Sequence, residues 1–269
     1  MSADTPKKEK NIIMCVTTGR SGTNLLQELF ALAEDTCSLH EPEPGFQTVL
    51  PDVRKDPDAA IQFVRDRKLP DILARPESNY TETSHVFGKG FFEAFVALNI
   101  PFRVVILNRA PREVAISFRR IRAVPFHTHL GRVWLLQPSQ PDVMPLRGWQ
   151  WMTEYQLTYW YCLEMERRKT IYAEECRRRR IPCVEIHFSQ LRNWDRFSEL
   201  CAACALTLPE GSRQRHAEIT SHKVNHKEEY NTRRSRLPYG LQEWVVWRAL
   251  GSHGSSVREA LRLRYGSTH

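Results

Sequence analysis

The sequence predicts an α/β protein, a three-layer α/β/α arrangement around a mostly parallel sheet. Three observations lead there. Short apolar runs of strand length, such as Ile12–Val16 and Phe102–Leu107, recur along the chain. Segments with apolar residues at helical spacing separate them, and strands alternating with helices in this way make parallel sheets. Two of the strands also run straight into a helix start through a turn that carries an arginine, Val16-Thr17-Thr18-Gly19-Arg20-Ser21-Gly22-Thr23-Asn24 and Asn108-Arg109-Ala110-Pro111.

Residues 1–10 read as a disordered tail and 11–269 as a single domain. The first unit is the strand Ile12–Val16, the glycine turn and a helix whose Leu25, Leu26, Leu29, Phe30 and Ala33 share a face, ending near Asp35. Such a turn suits phosphate. The first N–H groups of a helix lack intrahelical partners, the dipole end is positive, and glycines let an anion approach the backbone. Arg20 adds a planar fork of donors, and Ser21, Thr23 and Asn24 add short polar groups. The same residues also make an ordinary strand-to-helix turn.

A short second strand starts at Cys37 and leads through His40 and Glu41 into a proline-bearing loop, since Pro42 and Pro44 bar helix. Glu41 would lie at a strand end beside the phosphate loop, where ligands of open α/β sheets gather. Residues 57–74 read as a surface helix, Tyr80–Phe87 as a third strand closed by Gly88-Lys89-Gly90, and residues 91–98 as a helix packed on the sheet. Phe102–Leu107 is the clearest buried strand, and Pro111 opens the next helix at a position where a missing N–H costs nothing. Ser117 lies eight residues after Arg109. Two strand–arginine–helix units in one chain imply two phosphate groups.

Residues 123–148 form a long aromatic and proline-bearing connection of the kind that makes lids or binding loops. Residues 149–180 read as a long amphipathic core helix, Pro182–Phe188 as a strand and 193–207 as another helix. A basic stretch, His222 to Lys227, and a terminal helix around Trp244–Leu250 close the chain.

Composition sets bounds on function. Across 269 residues, 41% are hydrophobic and 26% charged, so the chain can bury a sizeable core. The net charge of +8 suits nucleic acid, an anionic membrane or an anionic small ligand, and composition does not choose among them. No zinc-finger or RNA-binding signature is visible. Arg177–Arg180 and Arg233, Arg234, Arg236 read as solvated faces. The seven cysteines are scattered, and Cys201 and Cys204 sit in an apolar stretch with no second pair to complete a zinc site. His127 and His129 likewise have no partner ligands, and no metal is expected. With neither a signal peptide nor a membrane span, the expected location is cytoplasmic.

A P-loop NTPase would show a lysine after the second glycine and a hydroxyl beside it for magnesium. The chain reads TTGRSGTN, with the basic residue before that glycine. In this it resembles the sulfotransferases that use 3′-phosphoadenosine 5′-phosphosulfate (PAPS), and the resemblance spans about residues 11–208. It implies a P-loop-like sulfotransferase fold in which Arg20, Ser21, Gly22, Thr23 and Asn24 bind the 5′-phosphosulfate. Arg109 and Ser117 match that family's 3′-phosphate motif. Phe188 stands where an aromatic meets the adenine, although the run is HFSQL rather than one with tyrosine, and Lys223, Asn225 and Lys227 match loosely a late basic loop.

The resemblance also implies in-line sulfuryl transfer from PAPS to a hydroxyl or amine, leaving adenosine 3′,5′-bisphosphate (PAP). Arg20 would steady the leaving oxygen, and a base would take the acceptor proton. Some branches place a Glu at the end of the second strand, matched by Glu41; the cytosolic branch uses a His on the third strand, near His85. Glu41 is favoured, with His85, His40 and Glu82 in reserve. Phe126, Trp134 and Trp149 point to a small organic acceptor such as a natural product, with no nucleic-acid or membrane partner. The net charge keeps an anionic carbohydrate or peptide open. A non-catalytic adenine-nucleotide or nucleic-acid binding protein is the alternative of a different class.

Overall fold

The computed structural model describes residues 10–221 and 237–266. Its elements are β1 (Asn11–Thr17), α1 (Thr23–Phe30), β2 (Thr36–Leu39), α2 (Leu50–Val53), α3 (Asp58–Phe63), α4 (Leu69–Ala74), β3 (Asn79–Glu82), α5 (Phe91–Ala97), β4 (Arg103–Asn108), α6 (Pro111–Arg120), α7 (His129–Trp134), α8 (Glu154–Arg179), β5 (Cys183–His187), α9 (Trp194–Ala203), α10 (Ser212–Ser221), α11 (Tyr239–Leu250) and α12 (Ser255–Tyr265). The strands pair in the order β2-β3-β1-β4-β5, every pair parallel.

The three layers follow from strands that are apolar on both faces. In β1 and β4, Ile12, Met14, Val16, Val104 and Ile106 join a cluster with Phe91, Phe92, Phe95 and Tyr172. Their alternate residues Ile13, Cys15, Val105 and Leu107 join Leu25, Leu26, Leu29, Phe30, Phe197 and Leu200. Each large side chain so buried contributes about 1.5–3 kcal/mol. A third cluster, built by α6, α8, α11 and α12, extends the core past β4. No helix among the described residues is long and apolar enough to cross a membrane.

Several sequence expectations change. The third strand ends at Glu82, so His85 sits in the turn that follows and not on the strand. The alternation in the sequence continues, but Ser84 Oγ accepts from the Val86 N–H at 3.2 Å and turns the chain away. The surface helix of 57–74 is α3 and α4 joined by a π-helical segment, Val64–Lys68, and it carries Lys68 fully into the core. There Lys68 Nζ pairs with Glu82 at 2.8 Å and donates to the Pro44 carbonyl at 3.1 Å. Glu82 is therefore occupied in the core, supporting the loop that carries Glu41.

The helix expected over 149–180 begins at Glu154 behind a capping box of Thr153 and Gln156, and it is buried on all sides from Tyr155 to Glu166, so it is a central helix rather than an amphipathic one. The 123–148 connection contains α7 and buries Leu135, Leu136, Val143, Met144 and Leu146. The terminal helix is longer than expected, and α10 and α12 had no counterpart in the sequence reading. Cys201 and Cys204 are both packed into the core. Arg177–Arg180 are exposed, whereas Arg233, Arg234, Arg236 and most of the N-terminal tail lie outside the described residues.

Candidate active site

The carboxyl ends of all five strands feed one region. The 19–24 loop follows β1, His40 and Glu41 follow β2, His85 follows β3, Arg109 follows β4 and Phe188 follows β5. The connections change direction at β1, the place where open α/β sheets collect ligands.

The loop after β1 depends on its glycines. Gly19 and Gly22 have φ of 89° and 95°. A Cβ on Gly22 would lie 2.2 Å from the Phe188 ring, and one on Gly19 would lie 2.9 Å from His85. Gly22 caps α1 without a side-chain acceptor, and the first turn of α1 holds no acidic residue. Its amides and positive dipole end are thus available to an anion. Arg20 Nε donates to Ser117 Oγ at 2.9 Å, which leaves the Ser117 proton to donate elsewhere. Ser21 is fully buried and its hydroxyl donates to the Gly19 carbonyl at 2.9 Å, so it shapes the loop and does not line the cavity described below.

Arg109 supports this loop from the next strand. It donates to the Arg20 carbonyl at 3.0 Å and to Glu113 at 3.0 Å, and its guanidinium lies 5.0 Å above the Phe188 ring. Its own carbonyl accepts from the Tyr265 hydroxyl at 3.1 Å. Tyr265 stands on α12, and its contact with Arg109 was invisible in the sequence.

Beside this loop, with the His85 ring packed against Gly19, Glu41 and His85 meet. His85 Nδ1 is hydrogen-bonded to Glu41 Oε1. His40 Nδ1 donates to the Thr83 carbonyl at 3.1 Å, and its Nε2 is 3.8 Å from Glu41 Oε2. Burial, and then the neighbouring Lys89 ammonium, hold His85 down at about 4. Burial alone would raise Glu41, but His85, His40 and Lys89 hold it down at about 2. At neutral pH the pair is a carboxylate beside a neutral imidazole. The carboxylate accepts from Nδ1–H, so the lone pair is on Nε2, which is buried with no hydrogen-bond partner among the described residues. The two candidates for the base are partners rather than competitors. Arg20 (φ 54°) and Glu41 (φ 50°) are also both held in the left-handed region. That conformation costs a non-glycine residue about 1–3 kcal/mol and clusters at functional sites.

These groups line one cavity of about 370 Å³. Gly19, Arg20, Gly22, Thr23, Asn24, His40, Glu41 and His85 form its polar side. Phe118, Ile121, Ala123, Leu130, Trp134 and Leu135 form its apolar side, four of them from the 123–148 segment. Of the three aromatics singled out in that region, Trp134 lines the cavity and stacks on His85, ring centroids 5.5 Å apart and planes at 19°. Phe126 and Trp149 instead pack against each other at 4.7 Å. Arg109, Ser117 and Phe188 stand behind the loop and not in the lining. Lys223, Asn225 and Lys227 lie outside the described residues. The sequence reading missed Lys89 and Tyr161. Their only signal was a lysine between two glycines and a tyrosine in a helix too apolar to face water.

No family model matches the chain, and no curated protein sequence matches it. Among solved structures it is similar to the sulfotransferase domain from the curacin biosynthetic pathway, with a TM-score of 0.53 and 15% identity over 90% of this chain and 98% of that one. It is also similar to the sulfotransferase domain from the Synechococcus PCC 7002 olefin synthase, with a TM-score of 0.53 and 12% identity over 91% and 97%. The chain therefore has the P-loop-like α/β/α fold of those domains.

Proposed function

We propose that this protein is a sulfotransferase that moves the sulfuryl group of PAPS to a hydroxyl or amine of a small, largely apolar acceptor. The observation that carries the reading is the meeting of two groups in one cavity: an arginine-bearing glycine loop before α1 and, packed beside it, a Glu41–His85 pair whose buried Nε2 makes no hydrogen bond among the described residues. The likeness of fold to two sulfotransferase domains supports it.

The residues fit an adenosine with separate 5′ and 3′ anionic groups. The glycine loop and the uncapped amides of α1, with Thr23 and Asn24, would hold the 5′ phosphosulfate. Arg109 and the free proton of Ser117 would hold the 3′-phosphate, with Phe188 beside the adenine. When bound, PAPS supplies an activated sulfuryl group with a phosphate leaving group. Arg20 offers a permanent, preorganised positive fork to the oxygen on which charge develops, an effect that typically contributes about 10²–10³ in rate. His85 Nε2 takes the acceptor proton, and Glu41 holds the ring in the tautomer that leaves Nε2 unprotonated. Ile121, Ala123, Leu130, Trp134 and Leu135 exclude water and seat the acceptor body. Among the described residues of the lining, Arg20 is the one arginine or lysine, and the rest of the acceptor side is apolar.

Thermal shift tests the reading. Stabilisation by PAP, with little from ATP and magnesium or from oligonucleotides, is the expected result. An equal response to ATP or DNA would favour a non-catalytic nucleotide- or nucleic-acid-binding protein. Incubation with PAPS and a panel of apolar alcohols, phenols and amines, read by product mass, then identifies the acceptor.

A further inference from the structure

Lys89 is 2% exposed, in the turn that follows His85. Its Nζ donates to the Trp134 carbonyl at 2.5 Å and lies 5.1 Å over the Tyr161 ring. The Tyr161 hydroxyl donates to the Thr18 carbonyl at 2.7 Å, at the mouth of the phosphate loop. Trp134 stacks on His85, and the His85 ring packs directly on Gly19. These contacts close a circuit from Thr18 through Tyr161, Lys89, Trp134 and His85 back to Gly19.

Arg54 grips the same strip from the other side. Its guanidinium donates to the carbonyls of Arg132 at 2.5 Å, Val133 at 3.3 Å and Leu135 at 2.7 Å. Arg54 and Lys89, both from outside the 123–148 segment, thus donate to the four consecutive carbonyls of residues 132–135 at the carboxyl end of α7. The hydrogen-bond acceptor of Lys89 is a neutral carbonyl. Burial, and then the Arg54 guanidinium, push the Lys89 amine well below its usual range while Glu41 pulls it up, so this buried amine is costly to hold there and filling space does not account for it.

We propose that Lys89 is a positioning residue that couples the phosphate loop to the 123–148 segment: through Trp134 it sets the plane of the His85 ring, and through Tyr161 it braces Thr18. The proposal rests on the reading of His85 as the base. It predicts that the segment over the cavity is held shut by main-chain contacts, so that its side chains remain free to contact an acceptor.

Hydrogen exchange on the full chain without ligand tests the latch independently of any activity. Lys89→Met keeps the chain volume and removes the ammonium, and amides of residues 129–136 are expected to exchange at least about tenfold faster. Wild-type exchange in this variant overturns the proposal. With PAPS and an acceptor, Lys89→Met should lose about 10- to 100-fold in kcat with donor KM within about threefold; a loss confined to donor KM overturns the positioning role. Should Lys89→Met not fold, Trp134→Leu, which leaves the main-chain bond in place, carries the test. It must change the His85 ring signals in NMR while amide exchange over 129–136 stays as in wild type, and unchanged His85 signals overturn the proposal. Absence of sulfuryl transfer by the wild-type protein would refute the proposed function, whereas the exchange result would still decide the latch.

Discussion

The two strand–arginine–helix units look alike in the sequence and work differently in the structure. After β1 the chain passes through Gly19, Arg20 and Gly22 at positive φ, and α1 starts without a side-chain cap, with Gly22, Thr23 and Asn24 in the cavity lining. After β4 there is no glycine; Pro111 occupies the first turn of α6, which removes one donor outright. Arg109 then reaches sideways to the Arg20 carbonyl and over Phe188, and does not line the cavity. The first unit can cradle an anion with its backbone and face the chemistry. The second offers a side chain only, and it braces the first. A strand ending in arginine before a helix is thus not one device; the backbone on either side decides which it is.

The largest effect should come from the Glu41–His85 pair packed beside the first unit. His85→Ala is expected to lower kcat by about 10²–10⁴ while PAP binding, measured by calorimetry, stays within about twofold. Near-normal turnover would remove His85 as the base. Arg20→Met should lower kcat by about 10²–10³. Arg109→Met should act on the other parameter, weakening PAP by about 10- to 100-fold with kcat little changed, as loss of a charged hydrogen-bond partner does. If the two arginine variants show the same split between kcat and affinity, the distinction drawn between the units fails.

Backbone variants sharpen the same contrast at smaller cost. Gly22→Ala places a Cβ against Phe188 at positive φ, and a loss of about 1–3 kcal/mol in urea unfolding is expected. Pro111→Ala should change stability by about 1 kcal/mol or less. The smallest effect is on pH dependence. His85 must be neutral to accept a proton, and it is held at about 4, so kcat/KM should be flat above that value and fall tenfold per unit below it. Lys89→Met should move this acid limb up, because Lys89 disfavours the protonated ring, and Glu41→Gln should move it down, because Glu41 favours it.

Part of the proposed site is legible in the sequence. Arg20, Glu41 and Arg109 stand out in the sequence because each stands where an apolar run stops; the structure brings Arg20 and Glu41 to one cavity and puts Arg109 behind the loop. The Glu41–His85 contact was not legible. The residues are 44 apart, and they meet because β2 and β3 are neighbours with Leu39 opposite Glu82, so the chain leaves both strands on the same side. Read one at a time, Glu41 and His85 competed for a single role; in the structure they are hydrogen-bonded to each other. Glu82 was misplaced for the converse reason: its partner Lys68 looks like a solvent charge on a helix face, and the π-helical segment turns it inward. α12 escaped notice because its helical stripe is short and polar, while what docks it is a set of bonds from Arg264 and Tyr265 to Glu166, Glu185 and Arg109.

By itself the sequence determined the parallel α/β architecture, the glycine-bearing loop after the first strand and the arginines at the strand ends. Those features rest on local periodicity and turn chemistry, which a dozen adjacent residues suffice to specify. Tertiary structure alone decided that Glu41 orients His85, that Arg109 braces Arg20, and that Lys89 and Arg54 hold the apolar segment over the cavity. Each of these is a contact between residues distant in the chain. Their energies depend on burial and on the tautomer or charge that a neighbour imposes, and neither exists until the sheet has brought its strand ends together.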